Sequence, residues 1–174
     1  MNDITGDNNI AVGFEALYGS NGQSYSGITA IGHQAAKANT SQTNTVAIGY
    51  RALTANTSGT DNTAIGYGAM TANTTGAGNT AVGMNALDAN TTAANNAALG
   101  YGALGANTTG ASNAAVGRNA LTANTTAGAA TSTDQSGTAL AEVETETESD
   151  LKSLAQRRRY RRVFRYFNWY RKRI

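Results

Sequence analysis

The chain has 174 residues and a net charge of +2, with 20 glycines, only 14% charged residues, and neither proline nor cysteine. The missing cysteine excludes disulfides, thiol catalysis and Cys-ligated zinc. No run of about 18 apolar residues is present to cross a membrane as a helix. The start, Met1 to Gly6, lacks the basic residues and apolar stretch of a secretory signal, so a soluble chain not exported by that route is expected.

Charge is distributed in three blocks. Residues 1–130 carry five acids and three bases, 131–156 carry six acids and Lys152 alone, and 157–174 carry nine bases and no acid. The chain divides accordingly into a repeat domain over 1–126, an acidic linker over 127–149 and a basic C-terminal anchor over 150–174.

The first block repeats. Glycine stands at 13, 32, 49, 66, 83, 100 and 117, spaced by 19 and then by 17. Each is preceded by a branched apolar residue, Val12, Ile31, Ile48, Ile65, Val82, Leu99 and Val116, and before that by alanine. Three residues past each glycine comes alanine again, followed by Leu17, Ala36, Leu53, Met70, Leu87, Leu104 and Leu121. Seven past it, from the second copy on, an Asn-Thr pair begins at 39, 56, 73, 90, 107 and 124.

A period of 17 is too short for a helical hairpin and suits one turn of a β-solenoid. The fold class predicted is all-β, a parallel β-roll of seven coils. Thr63 to Tyr67 reads as a strand with Thr63, Ile65 and Tyr67 on one face and Ala64 and Gly66 on the other. The Asn-Thr segments read as corners in which Asn and Gly accept left-handed backbone, and each Asn is placed to bond to the Asn of the next coil. Two large apolar side chains per coil are few against the entropy of ordering seventeen residues. An obligate oligomer is therefore expected, with Val12, Ile31, Ile48, Ile65, Val82, Leu99, Val116, Leu53, Leu87, Leu104 and Leu121 packing the roll and its trimer contacts.

The unit Asn62-Thr-Ala-Ile-Gly-Tyr-Gly-Ala-Met-Thr-Ala-Asn-Thr-Thr-Gly76, repeated in phase over roughly 9–126, resembles the head repeat of YadA-like trimeric autotransporter adhesins. Near-identical repeats occur in bacteriophage fibre and other virion surface proteins. The resemblance implies a left-handed parallel β-roll with three chains side by side. The membrane barrel and signal of an autotransporter, and the self-cleaving chaperone domain of phage fibres, are not seen in the sequence. Seven coils at a strand spacing of about 4.8 Å give a stub only about 34 Å tall.

In the tail, Ser149 or Asp150 suits a helix cap, and Tyr160, Val163, Phe164, Phe167, Tyr170 and Ile174 recur at three- and four-residue spacing with arginine opposite. This reads as a basic amphipathic helix. Its partner-binding candidates are Arg157, Arg158, Arg159, Arg161, Arg162, Phe164, Arg165, Phe167, Trp169, Tyr170, Arg171, Lys172 and Arg173. Docking to an acidic protein surface is the favoured reading, because arginine and aromatics anchor interfaces. A solvated end, nucleic acid bound through phosphates and stacking, and a membrane surface stand as alternatives.

Signs of catalysis are missing. The lone histidine, His33, shares its column with Phe14, Tyr50, Tyr67, Met84, Tyr101 and Arg118, which points to packing or surface rather than chemistry. Asp61 and Asp88 fall at unrelated phases, so no calcium ladder forms, and no phosphate-loop motif occurs. No enzyme, metal or cofactor is expected. The Asn-Thr sequons follow corner geometry better than sugar attachment, and a Thr array ordering water as on ice-binding solenoids is a minor alternative. The function expected is a structural virion protein: a homotrimeric roll made in the host cytoplasm that decorates or cements a bacteriophage capsid through its tail. The alternative is an adhesive segment of a tail fibre or bacterial adhesin head.

Overall fold

A computed structural model describes residues 6–19 and 25–133. Eight short strands follow in chain order: β1 (Ile10–Val12), β2 (Thr29–Ile31), β3 (Val46–Ile48), β4 (Thr63–Ile65), β5 (Thr80–Val82), β6 (Ala97–Leu99), β7 (Ala114–Val116) and β8 (Thr131–Ser132). All pair parallel in one sheet whose spatial order is the sequence order. The register lays like on like, as in Thr63↔Thr80, Ala64↔Ala81 and Ile65↔Val82. The chain is a β-solenoid of about seven turns, with no helix among the described residues. The roll runs on through β8, beyond residue 126.

The first pair keeps the same register, Val12↔Ile31, despite two extra residues in the first coil, so the excess is absorbed between β1 and β2. Outside the strands the backbone ladder continues around the coil. Leu53 N–H donates to Ala69 O at 2.9 Å, Met70 to Ala86 at 2.9 Å and Leu87 to Ala103 at 3.0 Å. Thr74 N–H donates to Thr91 O at 2.8 Å on the far side. Neighbouring coils are thus tied on every wall.

Strand alternation decides the two faces. The central alanines, Ala30, Ala47, Ala64, Ala81, Ala98 and Ala115, point into the roll and are buried, while Thr63 and Ile65 and their equivalents point out. A methyl inside lets opposite walls approach. The interior is completed by a second alanine column, Ala35, Ala52, Ala69, Ala86, Ala103 and Ala120, and by Leu53, Met70, Leu87, Leu104 and Leu121, all fully buried. A single chain thus encloses its own leucine column, a correction to the share of trimer contacts expected of Leu53, Leu87, Leu104 and Leu121.

The leucine column takes an unexpected backbone. Leu53, Met70, Leu87, Leu104 and Leu121 have φ between 51° and 54°, in the left-handed region. For a non-glycine residue this conformation costs roughly 1–2 kcal/mol. Burial of a leucine side chain contributes about 1.5–3 kcal/mol, which offsets it. Left-handed residues are also found at Arg51, Asn85 and Asn119 and at Asn44, Asp61 and Asn95. The Asn-Thr corners are not among them, a second correction. There asparagine braces the turn by side chain instead: Asn56 Nδ2 donates to Gly59 O at 2.8 Å and Oδ1 accepts from Gly59 N–H at 3.2 Å.

The glycine that ends each strand is required for two reasons. Gly66 has φ +138°, and a Cβ added there lies 2.5 Å from the carbonyl oxygen of Gly83, a backbone atom that cannot step aside. Gly68, at φ +64°, is less constrained, because the obstacle is the Oδ1 end of the Asn85 side chain at 2.6 Å. Gly66→Ala is therefore expected to cost at least about 3 kcal/mol, and Gly68→Ala roughly 1 kcal/mol. Denaturant unfolding of the two variants checks the order, and equal losses would contradict this account of the glycine column.

Candidate functional site

The outward face of the sheet carries three adjoining columns. The aliphatic one is Val12, Ile31, Ile48, Ile65, Val82, Leu99 and Val116, and it ranges from half-buried to exposed, with Val12 56% and Ile65 36% accessible. Beside it, two residues on, stand Phe14, His33, Tyr50, Tyr67, Met84, Tyr101 and Arg118, all exposed. On the other side run Ile10, Thr29, Val46, Thr63, Thr80, Ala97 and Ala114. Strands β1–β7 contribute their first and third residues and the column two residues past each strand end adjoins them, so a largely apolar stripe runs along the roll.

Vertical stacking orders the aromatics. Ring centroids are 5.2 Å apart for Phe14 and His33, 5.0 Å for His33 and Tyr50, and 5.0 Å for Tyr50 and Tyr67, with interplanar angles of 23°, 13° and 10°. Stacked rings cover one another's faces and present their edges outward. Such a ladder offers little π-face for a sugar ring to lie on, but it makes a firm ridge for another surface. Met84 interrupts it, and Arg118 then caps Tyr101 with its guanidinium carbon 5.4 Å from the ring centroid.

Charges border this stripe sparsely. Lys37 Nζ lies 2.8 Å from Glu15 Oε2, which also accepts from Gln34 Nε2 at 2.8 Å. The Lys37 hydrogen bond, with Gln34 second, holds the Glu15 carboxyl below its ordinary value. Among the described residues, no three His, Asp or Glu side chains converge where a metal would bind. His33 sits on the surface inside the aromatic ladder.

The interior polar columns are structural. Asn73 Nδ2 donates to Asn56 Oδ1 and Asn90 Nδ2 to Asn73 Oδ1, both at 2.9 Å, which is the ladder the repeat implied. A second ladder, which sequence reasoning missed, runs through Asn62, Asn79, Asn96 and Asn113. Asn79 Nδ2 approaches Asn62 Oδ1 at 3.3 Å, and the backbone N–H groups of Asn79, Asn96 and Asn113 donate to the preceding Oδ1 at 2.9 Å. Its signal was asparagine four residues before each glycine in four successive coils. The sequon amides at Asn39, Asn56, Asn73, Asn90 and Asn107 are buried, out of reach of a glycosyl carrier. The threonines beside them, Thr57, Thr74, Thr91 and Thr108, donate their hydroxyls to the carbonyl of the next coil, so those protons are committed inside the protein rather than to ordered water.

The structure thus separates the predicted packing residues into two groups. Leu53, Leu87, Leu104 and Leu121 close the interior of one chain, and the column from Val12 to Val116 is left facing out. The partner-binding candidates over 157–173 and the helix over 150–174 lie outside the described residues. No described helix is long and apolar enough to cross a membrane. Comparison with protein-family models, curated proteins and solved structures found no match.

One carboxylate on the roll is poorly placed. Asp88 occupies the column in which Thr54, Thr71 and Thr122 donate to a carbonyl three residues back, at 2.7, 2.7 and 2.6 Å. Desolvation raises the Asp88 carboxyl above its ordinary value, against the hydrogen bonds of its own backbone and that of Ala89. A carboxyl raised in the folded state opposes folding once ionised, and the penalty fades as pH falls back through its ordinary range. Asp88→Thr is accordingly expected to raise the Tm at pH 7, with the gain shrinking toward pH 3. Thermal scans of both chains test this, an unchanged Tm at pH 7 being the contrary result.

Proposed function

We propose that the chain is a non-enzymatic structural protein, a homotrimeric β-roll that decorates or cements a bacteriophage capsid and is held there by its basic, aromatic C-terminal segment. The observation that carries the oligomeric part is the apolar stripe on a roll whose interior is already filled. Its half-exposed aliphatic and aromatic side chains offer on the order of 1,000 Å² of surface per chain, taking about half of the 150–250 Å² of a large side chain each. A standard interface takes about 800 Å² from each partner. Monomeric proteins seldom expose so continuous an apolar patch.

A second copy of the chain is the natural cover. The stripe is self-similar along its length, so an identical stripe matches it coil for coil around a common axis. The repeat's resemblance to trimeric heads favours three chains. The virion setting rests on that resemblance and on the composition of residues 157–174, in which nine bases and the interleaved aromatics suit an acidic protein seam.

Replacing Ile65 and Leu99 together by aspartate is expected to abolish the trimer while leaving the leucine column and both asparagine ladders untouched. Sedimentation equilibrium gives the mass and circular dichroism the fold; a double variant that stays trimeric would remove this face from the interface. Deleting 157–174 is expected to release the protein from particles, with wild-type attachment weakening as salt rises. Copy number per particle decides the setting: occupancy of many capsid sites supports decoration, and a few copies at the tail support adhesion.

A further inference from the structure

We infer that the rolls assemble parallel and in register, with the aromatic ridge of each chain seated on the small-residue column of the next. This rests on the trimeric reading of the apolar stripe and fixes which side chains meet across it. The two flanks of the stripe are unequal. Two residues after the aliphatic column stand Tyr50, Tyr67, Met84 and Tyr101; two residues before it stand Val46, Thr63, Thr80 and Ala97. In every coil the leading residue is smaller than the trailing one, from Ile10 against Phe14 to Ala114 against Arg118.

The ridge is firm as well as tall. Tyr50 and Tyr67 stack at 5.0 Å with 10° between their planes, close to the coil spacing of about 4.8 Å, so one ring edge is presented per coil. Rings already held by their neighbours lose little freedom on being covered. The leading column is open to receive them: Thr80, Ala97 and Ala114 are exposed, Val46 and Thr63 are half-buried, and none of them is charged.

Symmetry decides what meets what. Rotation about an axis parallel to the roll carries the trailing flank of one chain onto the leading flank of the next and keeps each coil at its own height. Tyr67 then faces the partner's Thr63, and Tyr101 faces the partner's Ala97. Large sits against small in each coil, which is how two surfaces interdigitate to interior density. The aliphatic column lies innermost and the flanks form the rim, where the tyrosine hydroxyls and the guanidinium of Arg118 keep their access to water. Inverting one chain instead opposes ridge to ridge on one side and small column to small column on the other. Two tall columns then hold the aliphatic ones apart, and the gap between the small ones forfeits its dispersion contacts. Size complementarity therefore selects the parallel arrangement.

The chain has no cysteine, so introduced thiols report without background. Thr63 and Tyr67 belong to the coil of β4, the middle one of β1–β7, where an inverted partner would bring Tyr67 against Tyr67. Along one chain they are roughly 13 Å apart, too far for an internal disulfide. The full chain carrying both Thr63→Cys and Tyr67→Cys, oxidised at neutral pH, is expected to run as a covalent trimer on a non-reducing denaturing gel, and either single variant as a monomer. Thr63→Trp, which fills the seat without entering the interior, is expected to raise the trimer dissociation constant in sedimentation equilibrium about tenfold or more, with the circular dichroism unchanged. Covalent dimers from Tyr67→Cys alone would place ridge against ridge and overturn the inference. So would a double variant that sediments as a trimer yet does not crosslink, or a Thr63→Trp trimer as tight as the wild type; the trimeric reading survives each of these results. A wild-type chain that sediments as a monomer overturns that reading and this inference together.

Discussion

Each coil must lie directly over the coil seventeen residues away, close enough for its N–H groups to reach the carbonyls below. That vertical coincidence governs the rest of the molecule. Gly49, Gly66, Gly83, Gly100 and Gly117 donate their N–H groups to the preceding coil's carbonyls at a constant 2.8 Å. A single side chain in that column would strike the next carbonyl, and the misfit would be passed to both neighbours, because each coil contacts only the coils beside it. Identity within a column is therefore a steric condition where backbones touch. Where side chains point to solvent it relaxes, as the mixture of Phe, His, Tyr, Met and Arg in the aromatic column shows.

The same coincidence explains how so thin a body holds polar side chains in its interior. A buried asparagine amide is costly when unpaired, since removing its partners forfeits about 1–3 kcal/mol. Stacked asparagines satisfy one another in mid-column, where Asn73 Nδ2 finds Asn56 Oδ1 and Gly76 O and Asn79 Nδ2 finds Asn62 Oδ1 and Ala93 O, whereas Asn39 Nδ2 and Asn107 Oδ1 are buried without a hydrogen-bond partner. Both ladders replace apolar bulk that a roll with alanine-lined walls has no room for. They also set direction, because the amide of one coil always donates toward the previous one along the Asn56–Asn107 column. Slipping the register by one residue would orphan the whole column.

The period, the strands, the glycine requirement and the first ladder were legible because each is a same-phase identity, and identity is what stacking imposes. Which apolar column faces inward was not legible in the same way. Ile65 and Met70 lie five residues apart and are both large and apolar, and simple alternation runs out at Gly66. The two are separated by left-handed residues at Gly68 and Met70, which turn the chain so that the methionine side chain enters the roll while Ile65 stays out. Leucine and methionine seldom adopt that conformation, so no propensity announces it. The uniform alanines on either side of the inward positions were the available clue, since only a narrow interior demands methyl groups at both. Asn56 carried the opposite ambiguity: its taste for left-handed backbone suggested a bent corner, whereas its amide clamps Gly59 across an ordinary turn.

Placing the leucines inside changes what the proposed association would have to accomplish. With both columns wet, a lone chain would lack a core and trimerisation would be part of folding itself. With Leu53, Met70, Leu87, Leu104 and Leu121 enclosed by their own coils, each chain already has a dry interior, two amide ladders and a sheet bonded through eight strands. What the single chain leaves uncovered is the column Val12 through Val116 and the aromatic ridge. Those side chains lie on one outer wall, so they are separable by mutation from the contacts that fill the interior.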